Sequence, residues 1–221
     1  MAGVAGWLRV IAAVACLALA GAAAAQVPGK KFVPINPPQP TQAPAGKVEV
    51  IEFFSYACPH CASLQPSLAA WLKRKPADVE FRRVPAVFND SWAPLAQLYY
   101  TLEAMGLVDK LHHDVFAAIH TQKIKLQDAK VLGDWIASKG VNRQKFDDTY
   151  NSFSVRSLTK RAVDAAGRYR VEFTPALVVD GRYLTGPSMT ATGNAIDYDG
   201  FFKVVDELVA ASRKTEKGGR K

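Results

Sequence analysis

The chain has 221 residues, 49% of them apolar and four of them Trp, which is ample for a packed core. Its formal net charge is +8, but the segment Arg213–Lys221 holds five basic residues against one acid, and Arg9 stands alone near the N-terminus. That leaves about +3 for the body of the chain, and no aromatic residues interleave with the basic tail, so composition excludes nucleic acid as a partner.

Arg9 precedes an almost unbroken apolar run from Val10 to Ala20, and Ala23-Ala24-Ala25 follows before Gln26. This predicts a secretory signal over residues 1–25 with cleavage near Ala25. The run falls short of the about 20 apolar residues that a membrane span needs. Cleavage would remove Cys16 and leave only Cys58 and Cys61. Lipid attachment at Cys16 is the competing use, but Ala13-Val14-Ala15-Cys16 is a poor version of that motif and begins too soon after Arg9.

Residues 26–46 form an extended lead-in, rich in Pro, with a short edge strand expected at Phe32-Val33. Val48–Phe54 reads as a buried strand. Cys58-Pro59-His60-Cys61 then opens a helix over 58–75, in which Leu64, Leu68, Trp71 and Leu72 share one face and Pro66 predicts a kink. Val79, Phe81 and Arg83 alternate with Glu80 and Arg82, giving a second strand that closes a βαβ unit.

From there to Gly167 the pattern is helical, with short connections that argue a compact bundle. Asp90 or Ser91 is expected to cap the first of these helices, Asp109, Asp128 and Asn142 to open the next three, and a longer helix to end at Gly167. Strand character returns at Ala176–Val179, Asp180-Gly181 signals a hairpin turn, and Arg182–Leu184 is the returning strand. A last helix is expected over roughly 199–212, followed by a solvated basic tail, 213–221, for which weak attraction to an anionic membrane surface is the alternative.

The chemistry concentrates at Cys58 and Cys61. Strand followed by helix puts Cys58 at a helix N-terminus, where unpaired N–H groups and the helix dipole favour an anion. A thiolate is such an anion, and Cys61, one turn on, is in range to close a disulfide. The alternative is half of a zinc site, which needs two further ligands at metal spacing. His112, His113 and His120 fall on a separate helix, where His113 and His120 share a face, and no metal site is assigned.

Glu52-Phe53-Phe54-Ser55-Tyr56-Ala57-Cys58-Pro59-His60-Cys61, the helical block, and Phe173-Thr174-Pro175-Ala176 before a DG hairpin together resemble the DsbA family of oxidoreductases. The resemblance runs from about Lys47 to Ser212. It implies an α/β protein, a thioredoxin fold with an inserted helical domain, divided as 47–85 and 168–212 around 86–167. It also implies a periplasmic protein dithiol oxidase that needs no cofactor beyond its redox-active Cys58–Cys61 disulfide. Its partners would be unfolded exported proteins with free cysteines and a DsbB-type, quinone-linked membrane reoxidant, and the chain would act as a monomer. Cys58 would be the exposed nucleophile, Cys61 its buried partner, and Pro59 a residue suited to the first helical turn. His60 would hold the thiolate by charge or hydrogen bond. Thr174-Pro175 resembles a cis-proline loop that offers backbone to an extended substrate. Glu52 would lie beneath the disulfide and assist proton transfer, with Arg83 as its partner, or else be a paired structural acid. Phe88, Trp92, Tyr183 and Met189 are candidates for a groove rim, though core packing is the default for each. A disulfide reductase or isomerase on the same fold is the alternative function; a thiol-independent peptide-binding module and a glutathione-using transferase stand further off.

Overall fold

Strand β2, Val48–Phe54, is buried along its whole length, and the rest of the molecule is arranged around it. The computed structural model describes residues 31–191 and 195–218; the leader with Cys16 and Ala25, and residues 219–221, lie outside it. β2 pairs in parallel with β3 (Val79–Pro85) and antiparallel with β4 (Ala176–Val179). β5 (Tyr183–Thr185) continues the sheet, and β1 (Val33–Pro34), one residue later than expected, closes its other edge, giving the order β1-β5-β4-β2-β3. Only β2 and β3 run parallel, because between them the chain makes a helical crossover, α1 (Pro59–Arg74). That helix passes through Pro66 without a break.

Alternation along β2 decides what each face meets. Val48 and Val50, with Leu177 and Val179 of β4, pack against Leu64, Leu68 and Trp71 of α1 and against Phe201 and Val205 of α7 (Tyr198–Gly218). Ile51 and Phe53, with Ala176 and Val178, belong to a second cluster that runs on into the helical block. Each fully buried aromatic or branched side chain contributes about 1.5–3 kcal/mol. Phe54, at the end of β2, has Tyr56, Tyr99, His112 and Phe116 within 6.1 Å of its ring centre.

The helical block comprises α2 (Ala93–Ala104), α3 (Val108–His120), α4 (Ala129–Ser138), α5 (Arg143–Tyr150) and α6 (Phe153–Arg168). Asp128, Asn142 and Ser152 cap the last three by accepting from backbone N–H groups. At the first helix the cap is Asn89, one residue before the expected Asp90, because a 3-10 turn over Asp90–Trp92 leads into α2. Asp109 lies in the first turn of α3 rather than at its cap.

The hairpin between β4 and β5 turns at Asp180 and Gly181, both with positive φ, closed by Arg182 N–H donating to the Val179 carbonyl at 3.0 Å. A Cβ on Gly181 would lie 2.0 Å from the Gln39 carbonyl, so glycine here also lets the lead-in cross. The final helix reaches Gly218, past the expected end at 212. Arg213 clasps Asp78 through two hydrogen bonds of 2.7 Å, so the first residue assigned to the tail belongs to the fold. No helix among the described residues is long and apolar enough to cross a membrane.

Candidate active site

The turn that leaves β2 fixes the first cysteine. Ala57 N–H donates to Ser55 Oγ (3.1 Å) and Cys58 N–H to the Ser55 carbonyl (3.0 Å), which swings the chain from strand into helix. Cys58 is the N-cap of α1 with extended backbone, and Pro59 sits at the first helical position, where its missing N–H costs nothing. No side chain caps this helix end, so its N–H groups remain for the sulfur.

Cys58 is 6% exposed and Cys61 is 0% exposed; both are free thiols. The Cys61 thiol, which donates to the Cys58 sulfur, is the largest influence holding the Cys58 thiol down. Burial opposes it, while the Thr174 side chain and the backbone N–H groups of Cys61 and His60 add to it, and the result is a pKa of about 5. Burial pushes the Cys61 thiol well above the ordinary range, and the Cys58 sulfur and the nearby charge of Glu52 push it further. Two cysteines three residues apart are thus driven in opposite directions.

Thr174-Pro175 lies against this pair from the far end of the chain. Its peptide bond is cis, and the Thr174 carbonyl accepts from Cys58 Sγ at 3.4 Å. Gly186, at the end of β5, lets the backbone close on this loop: a Cβ there would meet the Phe173 ring at 2.4 Å and the Pro175 carbonyl at 3.0 Å.

Glu52 is 0% exposed on the face of β2 that looks toward α1. Arg83 sits opposite it in the parallel register and donates through Nε at 2.9 Å. Gln65, on α1, donates from one amide nitrogen to Glu52 Oε1 (3.2 Å) and to the Cys61 carbonyl (3.1 Å). Burial raises the Glu52 carboxyl above its usual range, against the pull of Arg83 and Gln65. A carboxyl with raised affinity for protons therefore stands one side chain from the buried cysteine.

His60 presents its backbone rather than its ring. The imidazole is exposed and finds no hydrogen-bond partner among the described residues, whereas its N–H faces the Cys58 sulfur. His60→Ala keeps that N–H, so we expect it to raise the thiolate midpoint by about one unit or less. Absorbance of the thiolate followed against pH checks this; a rise of several units would return the main role to the imidazole.

Sequence patterns missed Gln65 altogether, touched Tyr56 only as part of the motif, and weighed His112 and His120 only as metal candidates. Glutamine on a buried helix face, or tyrosine beside a strand, reads as packing; only the fold sets Gln65 between Glu52 and Cys61. Of the rim candidates, Phe88 is 41% exposed and its ring lies 5.4 Å from that of Trp92. Both follow β3, whose parallel pairing with β2 brings them to the end of the sheet that carries Cys58. Met189 is half-buried in a 3-10 turn after β5. Tyr183 packs edge-on against Phe32 and belongs to the core beneath α7, not to the rim. His113 is exposed, and His120 is engaged by the Tyr56 carbonyl at 2.8 Å. Among the described residues, no three His, Cys, Asp or Glu are placed to hold a metal ion.

A thioredoxin family model matches residues 43–206. The thiol:disulfide interchange protein DsbA of Bordetella parapertussis is 46% identical over 207 residues, 94% of this chain and 96% of its own. This chain belongs to the DsbA family. DsbA of Pseudomonas aeruginosa PAO1 is 38% identical over 86% of this chain and 87% of its own. The crystal structure of Pseudomonas aeruginosa DsbA superposes with a TM-score of 0.79 at 36% identity, over 86% of this chain and 96% of that one. The family match and the structural likeness establish the expected α/β thioredoxin fold.

Proposed function

We propose that this chain is a periplasmic protein dithiol oxidase that donates a Cys58–Cys61 disulfide to exported proteins. The single observation that carries the reading is the opposed pair of thiols, with Cys58 held at about 5 and Cys61 held high. Membership of the DsbA family, whose members are named thiol:disulfide interchange proteins, agrees with it. The disulfide supplies both oxidising equivalents, and no other cofactor enters.

In the reaction a substrate thiolate attacks Cys58 Sγ, and the Cys58–Cys61 bond breaks. The electron pair goes to Cys61, which takes up a proton because its thiolate is disfavoured. Glu52, whose carboxyl pKa is raised by burial, would deliver that proton through an intervening water, with Gln65 holding the carboxyl beside Cys61. A second substrate thiolate then attacks the substrate sulfur of the mixed disulfide, and Cys58 leaves as a stable thiolate. The substrate's two cysteines are oxidised and the protein is reduced to its dithiol. A DsbB-type, quinone-linked membrane protein would then remove two electrons to restore the disulfide. Thr174 offers an extended peptide its backbone beside Cys58, and Phe88 with Trp92 gives the apolar chain of an unfolded substrate a surface to meet.

The leader, 1–25, would direct export and be cleaved near Ala25. The domain division that accompanies this reading is a thioredoxin domain over 47–85 and 168–212, with an inserted helical domain over 86–167.

Direction follows from magnitude. A Cys58 pKa near 5 rather than about 8.5 favours the dithiol about 100-fold at pH 7, roughly 60 mV in a two-electron couple. Equilibration with glutathione tests the proposal: we expect a potential above about −200 mV. A value near that of a reducing dithiol, about −270 mV, would favour the reductase alternative.

A further inference from the structure

The redox turn is held by α3, and the mechanism above makes no use of that grip. His120 Nε2 lies 2.8 Å from the Tyr56 carbonyl, so this nitrogen carries the proton and donates. The Tyr56 hydroxyl lies 2.8 Å from His112 Nδ1. The residue two before Cys58 is therefore fixed at its backbone by one histidine and at the tip of its side chain by another. His112, Phe116 and His120 are four residues apart on one face of α3, and Phe116 completes the enclosure, with its ring 5.0 Å from that of Tyr56 and stacked at 27° on His120.

The arrangement is a specific one. Tyr56 is 1% exposed, and an unpaired buried hydroxyl costs about 1–3 kcal/mol, so phenylalanine would fill this nest more simply. His112 is 7% exposed, and its Nε2 has no partner among the described residues. Burial pushes its pKa down to about 3 and raises that of Tyr56, so at neutral pH the pair is a hydrogen bond between uncharged groups. One imidazole nitrogen is left unpaired in the core so that the other can hold Tyr56.

The carbonyl that His120 holds belongs to the Tyr56–Ala57 peptide, in the middle of the turn closed by Cys58 N–H donating to the Ser55 carbonyl. Rotation of that peptide would carry Cys58 away from the N–H groups of His60 and Cys61. A thiolate gains from such donors only when they are aimed at it.

We infer that His120 and His112 are positioning residues for the Cys58 thiolate, acting through Tyr56, so that the helical block sets the poise of the redox turn. This rests on the reading of Cys58 as the low-pKa nucleophile. The test uses the full mature protein, with His120→Phe as the decisive variant: it keeps a ring to stack on Phe116 and removes the donor. Thiolate absorbance against pH and the equilibrium with glutathione are read for the unaltered protein, for His120→Phe, and for His120→Gln, whose amide restores a donor. His120→Phe should raise the Cys58 midpoint by about 0.5–1 unit and shift the glutathione equilibrium about 3–10-fold toward the disulfide. His120→Gln should recover most of both shifts. Tyr56→Phe, which preserves the ring and deletes the hydroxyl, tests the His112 arm and should raise the midpoint in the same direction; His120→Leu, which also lacks a donor, takes the place of His120→Phe if that variant does not fold. A midpoint near 8 in the unaltered protein would overturn the reading of Cys58 itself. A low midpoint there that stays unchanged in the folded donor-less His120 variant would overturn the positioning role of His120, and one unchanged in Tyr56→Phe would overturn that of His112.

Discussion

Cys58→Ser and Cys61→Ser should each abolish disulfide donation, but only Cys61→Ser should continue to capture partners. Donation needs both sulfurs, because the bond that breaks lies between them, so either variant should lose at least about 10³-fold in the oxidation of a reduced, unfolded substrate. The two differ in what remains. Cys58 is the thiol that the helix N-terminus and the Cys61 thiol stabilise as an anion, and it alone of the two touches solvent. In Cys61→Ser it can still attack a disulfide and then has no neighbour to release it. Non-reducing gels should show bands that disappear with added thiol. Cys58→Ser leaves only a fully buried thiol of raised pKa, and it should form no such bands. If Cys58→Ser traps partners as well as Cys61→Ser does, the assignment of nucleophile is wrong.

Reduction should stabilise the fold at neutral pH, and acid should erase that advantage. The folded-state pKa of Cys58, about 5, lies below the value near 8.5 of an unfolded chain. For a group depressed in this way, the unfolded state binds more protons between the two values, so stability rises with pH across that window. The gain is complete above about 8.5, is present in part at pH 7, and is lost as pH falls through about 5. Allowing for solvent that reaches the sulfur, the contribution at pH 7 is about 1–3 kcal/mol, against a total stability of about 5–15 kcal/mol. The oxidised protein has no thiolate and serves as the control, since its other groups titrate in nearly the same surroundings. Reduced protein should melt several degrees above oxidised protein at pH 7, at about 2–4 °C per kcal/mol for a chain of this size. The gap should close toward pH 4. Above about pH 9 the buried Cys61 works the other way, because its raised pKa favours the unfolded chain wherever a free thiol would ionise. Thermal melts of both forms across this range would decide the matter, and a gap that stays constant from pH 4 to pH 7 would contradict thiolate stabilisation as its source.

Much of this molecule could be read from local sequence. Apolar, β-rich runs marked β2 and β4, alternation marked β3, helical spacing marked α1, and Asp128, Asn142 and Asp180-Gly181 marked helix starts and a turn through chemistry that acts within a few residues. The same locality placed Cys58 at a helix N-terminus, which is most of the argument for a thiolate. What local pattern missed by a residue or two, such as Asn89 ahead of Asp90, turned on which of several adjacent polar side chains reached the first free N–H.

Other features depended on contacts between distant segments. Sequence could pair Glu52 with Arg83 only as neighbours in a guessed register, and it could not see Gln65 joining that pair to Cys61. The extension of α7 to Gly218 goes with an ion pair between Arg213 and Asp78, 135 positions apart. Thr174 and the two histidines of α3 reach the redox turn across 56 to 116 positions. A hydrogen bond depends on where two groups end up in space, and side chains such as these keep the same local propensities whether or not they meet. Sequence by itself therefore determined the elements and the reactive pair. Only tertiary structure decided which groups stabilise one sulfur as an anion and hold the other as a thiol, because that outcome follows from burial and from donors brought together by packing.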